Sequence, residues 1–134
     1  MKKALIAGLV LSLTIYFLSF NDTTSYKDGD VIFQTTAGET GKAIQLATHS
    51  KYNHCGVLFF ENNEWIVYEA VQPVKKTTLK EFNARGKGTV KRLSNKVLST
   101  EDITKLKAQF KKYEHKNYDE AFNWSDDQIY CSEL

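Results

Sequence analysis

The chain has 134 residues, enough for one hydrophobic core, so a multidomain organisation is excluded at this length. Its net charge of +2 is supplied by Lys2 and Lys3, and from Asn21 onward acidic and basic side chains balance. That balance excludes the basic stripe of a nucleic-acid-binding protein, and two cysteines are too few for a disulfide scaffold, so the fold must rest on packing.

In chain order, Lys2 and Lys3 precede an uncharged apolar run from Ala4 to Phe20. This is the pattern of a secretory signal or a membrane anchor. The run exceeds the about 7 to 15 residues of a signal core and sits at the lower edge of the about 17 to 25 of a spanning helix. No A-x-A site follows, so residues 1–20 read equally as a cleaved signal peptide or an N-terminal membrane anchor. Either way the expectation is export, with the protein secreted or held at the outer face of the cytoplasmic membrane and its N-terminal segment in contact with the bilayer. Residues 21–27 read as a linker and 28–134 as the domain.

The domain opens with the turn signal Asp28-Gly29-Asp30 and a short buried strand, "VIFQ". "KAIQLATHS" suits a short helix ending near Ser50. "HCGVLFFENNEWIVYEAV" holds two β-branched and aromatic runs around Asn62-Asn63, residues that tolerate the positive φ of a tight hairpin turn. "TTLKEFNARG" predicts a short helix with a threonine cap, and "GTVKRL" a strand. A longer helix runs from about Thr100 to His115. Ser99 or Thr100 caps it, Glu101 and Asp102 favour its N-terminal end, and Ile103, Leu106, Phe110 and Tyr113 form an apolar stripe. Lysines 105, 107, 111, 112 and 116 are its solvated face. "NWSDDQIYCSEL" reads as a loop entering a helix at about Cys131.

Hairpin geometry singles out a pair of residues. With Asn62 and Asn63 in the turn, Gly56 faces Glu69 and His54 faces Val71, so His54 and Glu69 share one face as diagonal neighbours and Cys55 points to the other. A carboxylate beside an imidazole fixes its tautomer and stabilises the imidazolium. Cys131 is the matching nucleophile in type, because a thiol near a protonated histidine or a helix N-terminus exists partly as thiolate. By spacing alone these residues read equally well as a strand histidine, a surface carboxylate and a small core thiol. A Cys55–Cys131 disulfide is the less favoured expectation, since parity turns Cys55 away from His54. A zinc site from His49, His54 and a cysteine lacks paired-ligand spacing, and His115 lies at a lysine-rich helix end, so neither metal nor cofactor is expected. Ser132 has no G-x-S-x-G elbow around it.

The stretches "DGDVIFQ", "SKYNHCGVLFF", "VYEAVQPV" and "NYDEAFNWSDDQIYCSEL" together resemble the permuted, YiiX/YebB-type branch of the NlpC-like papain-fold cysteine hydrolases. The similarity extends over nearly all of the chain from Tyr26. It implies an α+β fold, a small antiparallel sheet or partial barrel packed against helices, with the order histidine, glutamate, cysteine. It further implies Cys131 as nucleophile, His54 as general base, Glu69 as the residue orienting it, and Tyr118 near the oxyanion. A cysteine-bearing helix of several turns belongs to that pattern; only Ser132, Glu133 and Leu134 follow Cys131, so the helix is expected to be truncated, the domain C-terminally incomplete and turnover by this polypeptide open. The implied activity is an amidase or endopeptidase acting on cell-envelope peptides such as those of peptidoglycan. Two alternatives stand beside it. One is a lipid- or N-acyl-amide-directed acyl hydrolase or acyltransferase, with Phe59, Phe60, Trp65 and Trp124 lining an apolar groove; the other is a non-catalytic binding module of the same fold.

Overall fold

The computed structural model describes residues 25–122, 125 and 127–134. The expected signal or anchor, residues 21–24 of the linker, and Trp124 lie outside them. Among the described residues no helix is long and apolar enough to cross a membrane.

Five strands form one antiparallel open sheet, not a barrel, in the order β4-β3-β2-β1-β5. They are β1 (Val31–Gln34), β2 (His54–Glu61), β3 (Glu64–Glu69), β4 (Lys75–Thr78) and β5 (Gly88–Lys91). Three helices accompany them: α1 (Glu39–Thr48), α2 (Leu79–Ala84) and α3 (Thr100–Tyr113). The hairpin has the expected register, with Glu61 opposite Glu64 and Val57 opposite Tyr68. Its turn uses Asn62 and Asn63 at φ 50° and 66°, the left-handed values that bring a two-residue turn into line with strand twist.

Strand alternation divides the core into two layers. On one face Ile32, Leu58 and Val67 pack against Phe82 of α2; on the other Phe59, Tyr68, Ala70 and Val74 pack against Phe110 of α3 and Ile129. The helices start where the sequence provides caps. Thr78 and Ser99 each accept from the backbone N–H three residues on, while Glu81 and Asp102 return the bond to the cap backbone. Ser99→Ala is expected to cost about 1 kcal/mol, read as a lowered urea midpoint with unchanged slope.

Two expectations need correction, and β4 is an addition to them. "KKTT" forms β4 because Lys75–Thr78 pairs along β3, although its lysines are exposed and carry no strand pattern. α3 ends at Tyr113, with Glu114 leaving the helix. No helix begins at Cys131. Instead Tyr118 and Ile129 form a parallel bridge, and residues 130–133 make a single turn in which Glu133 N donates to Tyr130 O (3.1 Å) and Tyr130 N to the Glu133 carboxylate (3.2 Å).

Gly56 shows why the H-x-G spacing matters. A Cβ there would lie 2.5 Å from Val67 Cγ1, 2.9 Å from the Tyr68 carbonyl oxygen and 3.3 Å from Glu69 Cβ. The missing side chain leaves room for Glu69 beneath the diagonal neighbour His54. Gly56→Ala is therefore expected to destabilise by about 1–2 kcal/mol, because the backbone carbonyl cannot rotate away as a side chain can. Thermal unfolding checks this; an unchanged midpoint would contradict so tight a packing around Gly56.

Candidate active site

The site is assembled at the end of the sheet where β2 begins. His54, its first residue, is held on two sides. Its Nε2 meets Glu69 Oε2 at 2.6 Å, and its ring stacks on Phe82 at 5.7 Å between centroids with a 26° interplanar angle. With Nε2 committed to the carboxylate, Nδ1 is the nitrogen left for a reacting group.

Glu69 is fully buried, and ionisation at such a position needs compensation. Arg85, the residue that closes α2, supplies it: its Nη2 lies 2.5 Å and 2.7 Å from the two Glu69 oxygens. Burial works against the Glu69 carboxylate, yet hydrogen bonding from His54 and the charges of Arg85 and His54 outweigh it and hold its pKa below the usual range. α2 thus carries Phe82 under the imidazole and Arg85 onto the carboxylate, one helical turn apart. The helix is itself tied to β1, because buried Gln34 donates its side-chain amide to the carbonyls of Phe82 (2.5 Å) and Gly86.

Cys131 arrives from the opposite face. The bridge at Tyr118 and Ile129 brings these two residues, with Ile129 buried, against the α3 side of β2 and β3. Parity holds for Cys55, which faces that side, away from His54. The corollary that Cys55 stands apart from the nucleophile fails. Cys131 comes to the strand end where both faces meet, and Cys55 Sγ donates to the Cys131 carbonyl oxygen at 3.2 Å. Both cysteines are free thiols.

The electrostatics follow from this crowding. Hydrogen bonding from Cys55 and then His54, together with the imidazolium charge, overrides the burial penalty and lowers the Cys131 pKa to about 4. Burial disfavours the imidazolium, but hydrogen bonds to Cys131 and Glu69 raise His54 to about 9. Thiolate and imidazolium therefore coexist between these values. Cys55 moves the other way: donation to Cys131 and burial raise its pKa and keep it a thiol. Tyr118 is raised too, first by burial and then by the Cys131 charge, so it remains a phenol able to donate.

A cleft of about 550 Å³ runs past His54, lined by Gly38, Asn53, Ala70, Arg85 and Tyr118 among others. Asn53, nearly buried, shapes one wall by accepting from Thr36 N (2.8 Å) and donating to Thr36 O (2.9 Å). Thr40 and Ile44 of α1 are shared with a more apolar groove of about 410 Å³ that Cys131 lines with Ala43, Ala47, Phe122 and Tyr130.

The described structure brings together His54, Glu69, Cys131 and Tyr118. It leaves His49 as the residue ending α1 and His115 in the turn after α3. Among the described residues no three of His, Cys, Asp or Glu converge as metal ligands. Of the aromatics expected to line a groove, the three among the described residues do not share one: Phe59 is core, and Phe60 and Trp65 pack with each other beside Tyr26 at the hairpin. Sequence reasoning missed Arg85, Phe82, Asn53 and Cys55 as site neighbours. For Arg85 a signal existed, since it follows Phe82 by three and so falls on the same side of a short helix.

Residues 25–134 match the profile of a family described as permuted papain-like amidase enzymes, YaeF/YiiX, C92 family. The chain belongs to this family. It is 44% identical over 129 residues to the uncharacterized protein YiiX of Escherichia coli K12, a match covering 94% of this chain. The crystal structure of the metalloprotein yiiX from Escherichia coli O157:H7 is similar at a TM-score of 0.74 and 48% identity, over 80% of this chain. The chain spans 62% of the first relative and 61% of the second. The fold is accordingly α+β and permuted papain-like, that of a family described as amidases.

Proposed function

We propose that this chain carries thiol amidase chemistry, with Cys131 as nucleophile, His54 as acid and base, and Glu69 as the residue that holds the imidazole. The observation that carries this reading is the 2.6 Å contact between His54 Nε2 and buried Glu69, which leaves Nδ1 for Cys131. The Cys131 thiolate attacks the amide carbon, and the Tyr118 hydroxyl donates to the oxygen that gains charge. The His54 imidazolium gives its proton to the departing amine, leaving an acyl thioester. Neutral His54 then takes a proton from water, hydroxide adds to the thioester, and the acid leaves as the Cys131 thiolate re-forms. The role once expected of a helix N-terminus at Cys131 is not needed, since His54 and Cys55 already stabilise the thiolate.

The substrates that fit best are peptide amides of the cell envelope, including peptidoglycan peptides, met by an exported protein. The export reading rests on Lys2, Lys3 and the apolar run to Phe20. A second reading, an N-acyl or lipid amide, is favoured by the apolar groove of Ala43, Ala47, Phe122 and Tyr130 at the nucleophile. A similar protein bears the description metalloprotein, but the described residues here do not fit a metal: both Glu69 oxygens are taken by Arg85 and one also by His54.

The test is hydrolysis of a peptidoglycan stem peptide and of an N-acyl amino acid by the full chain and its Cys131→Ala variant. Release of amine by the parent alone, with a trapped acyl adduct at Cys131, supports the proposal. Equal release by both proteins overturns it. Which substrate turns over faster decides between the two readings.

A further inference from the structure

We infer that Cys55 and Cys131 form a hydroperoxide-reactive dithiol, in which Cys131 is oxidised first and Cys55 captures it as a reversible disulfide. The inference rests on the reading of Cys131 as a thiolate and goes beyond it by giving Cys55 a chemical role. Geometry carries it. Cys55 Sγ is 3.2 Å from the carbonyl oxygen of Cys131, so the thiol already touches the residue it must cross-link. Both residues are partly exposed, and Cys131 lines an open groove that a molecule as small as hydrogen peroxide can enter. Cys131 sits in a single turn of chain closed by Glu133 N donating to Tyr130 O (3.1 Å), and the bridge to Cys55 requires Cα atoms within about 4.4–6.8 Å of each other.

The two steps balance. In the first, the Cys131 thiolate attacks one oxygen of the peroxide; an S–O bond forms, the O–O bond breaks, and the other oxygen leaves with the His54 proton as water or alcohol. Cys131 becomes a sulfenic acid and the peroxide is reduced by two electrons. In the second, Cys55 sulfur attacks Cys131 sulfur; the S–S bond forms, the S–O bond breaks, and hydroxide leaves with the Cys55 proton as water. A dithiol and one hydroperoxide thus give a disulfide, water, and a second water or an alcohol. A small-molecule dithiol reverses the reaction by exchange, passing through a mixed disulfide.

The position of Cys55 gives this chemistry a consequence. Without a neighbouring thiol a sulfenic acid proceeds to the irreversible sulfinic acid. With Cys55 in contact, capture is intramolecular. The disulfide silences the nucleophile and preserves it.

The experiment exposes the full chain to a modest excess of hydrogen peroxide, then to dithiothreitol, and follows intact mass, the Cys55–Cys131 peptide pair and iodoacetamide labelling of Cys131. The parent is expected to lose two hydrogens in mass, lose both thiols together, and recover most of its labelling. Cys55→Ser, with Cys55→Ala as a second variant should serine disturb packing, is expected to gain two oxygens at Cys131 and recover at least fivefold less. Oxygen addition at Cys131 in the parent while Cys55 stays free, with recovery no better than in the variants, overturns the dithiol. If that occurs while the pH midpoint of Cys131 alkylation in the untreated parent lies near 4, the thiolate reading stands and only this inference falls. A midpoint near the about 8.5 of an ordinary thiol overturns both.

Discussion

Replacing His54 with alanine is expected to move the pH midpoint of Cys131 alkylation upward by several units, toward the about 8.5 of an ordinary thiol. In the parent the thiolate appears near pH 4 and is paired with the imidazolium until His54 loses its proton near pH 9. The variant retains the hydrogen bond from Cys55 but loses the positive charge that His54 places on the sulfur. Cys55 alone stabilises the thiolate as a neutral donor, and burial then pushes the pKa up unopposed by that charge. The midpoint is the decisive quantity, more than the rate at one pH. At pH 6 a pKa of about 8.5 leaves well under 1% thiolate, but a more basic thiolate is intrinsically more nucleophilic, by about half a decade per pK unit, so the rate falls only about tenfold or less. Iodoacetamide labelling followed by mass across pH 3.5 to 9.5 measures it. Coincident midpoints in parent and variant would exclude the ion pair.

Arg85→Met is expected to destabilise the fold by about 2–3 kcal/mol at pH 7. Removing one partner of a buried ion pair commonly costs about 3–5 kcal/mol, because the remaining charge is left without compensation. A value at or below the lower end of that range applies, since the Arg85 side chain is 37% exposed whereas Glu69 is wholly buried, and solvent already screens the guanidinium. The pH dependence has a definite sign. Glu69 has a folded pKa below its unfolded value of about 4.3, so its contribution is complete above that pH and lost as pH falls through the folded value. The deficit of the variant should therefore be full at neutral pH and shrink on acidification, as the carboxyl becomes neutral in both proteins. Arg85→Lys should recover only part of it, because an ammonium is a point charge and does not reproduce the planar guanidinium. Urea unfolding at pH 7 and pH 3.5 tests both statements. A loss below about 0.5 kcal/mol at pH 7 would mean that Arg85 is not the group that keeps Glu69 ionised.

The hairpin was legible because its information is local. Asn62-Asn63 fixes the turn, the turn fixes the register, and the register places His54 diagonal to Glu69 across the strands. The caps at Thr78 and Ser99 were legible for the same reason, each being a bond between residues three apart. β4 was not, because "KKTT" has no strand pattern of its own and extends only by pairing with β3. The turn at Cys131 was read as a helix start, since one capped turn looks the same in sequence whether or not a second turn follows.

The sequence by itself determined the antiparallel hairpin, the neighbourhood of His54 and Glu69, and the resemblance to the permuted papain-like family. All of these are carried by short spans whose geometry follows from period-two alternation and turn chemistry. Tertiary structure alone decided which thiol meets which face. Alternation tells on which side of β2 Cys55 lies, but nothing local tells that Tyr118 and Ile129 pack on that same side and that Cys131 comes to the strand end beside both Cys55 and His54. It also alone decided that Arg85 reaches Glu69, sixteen residues away, because the path of α2 is set by Phe82 sinking into the core and by Gln34 fastening its end. Contacts of that kind depend on how whole elements pack, and packing is settled only when every buried side chain has found its place.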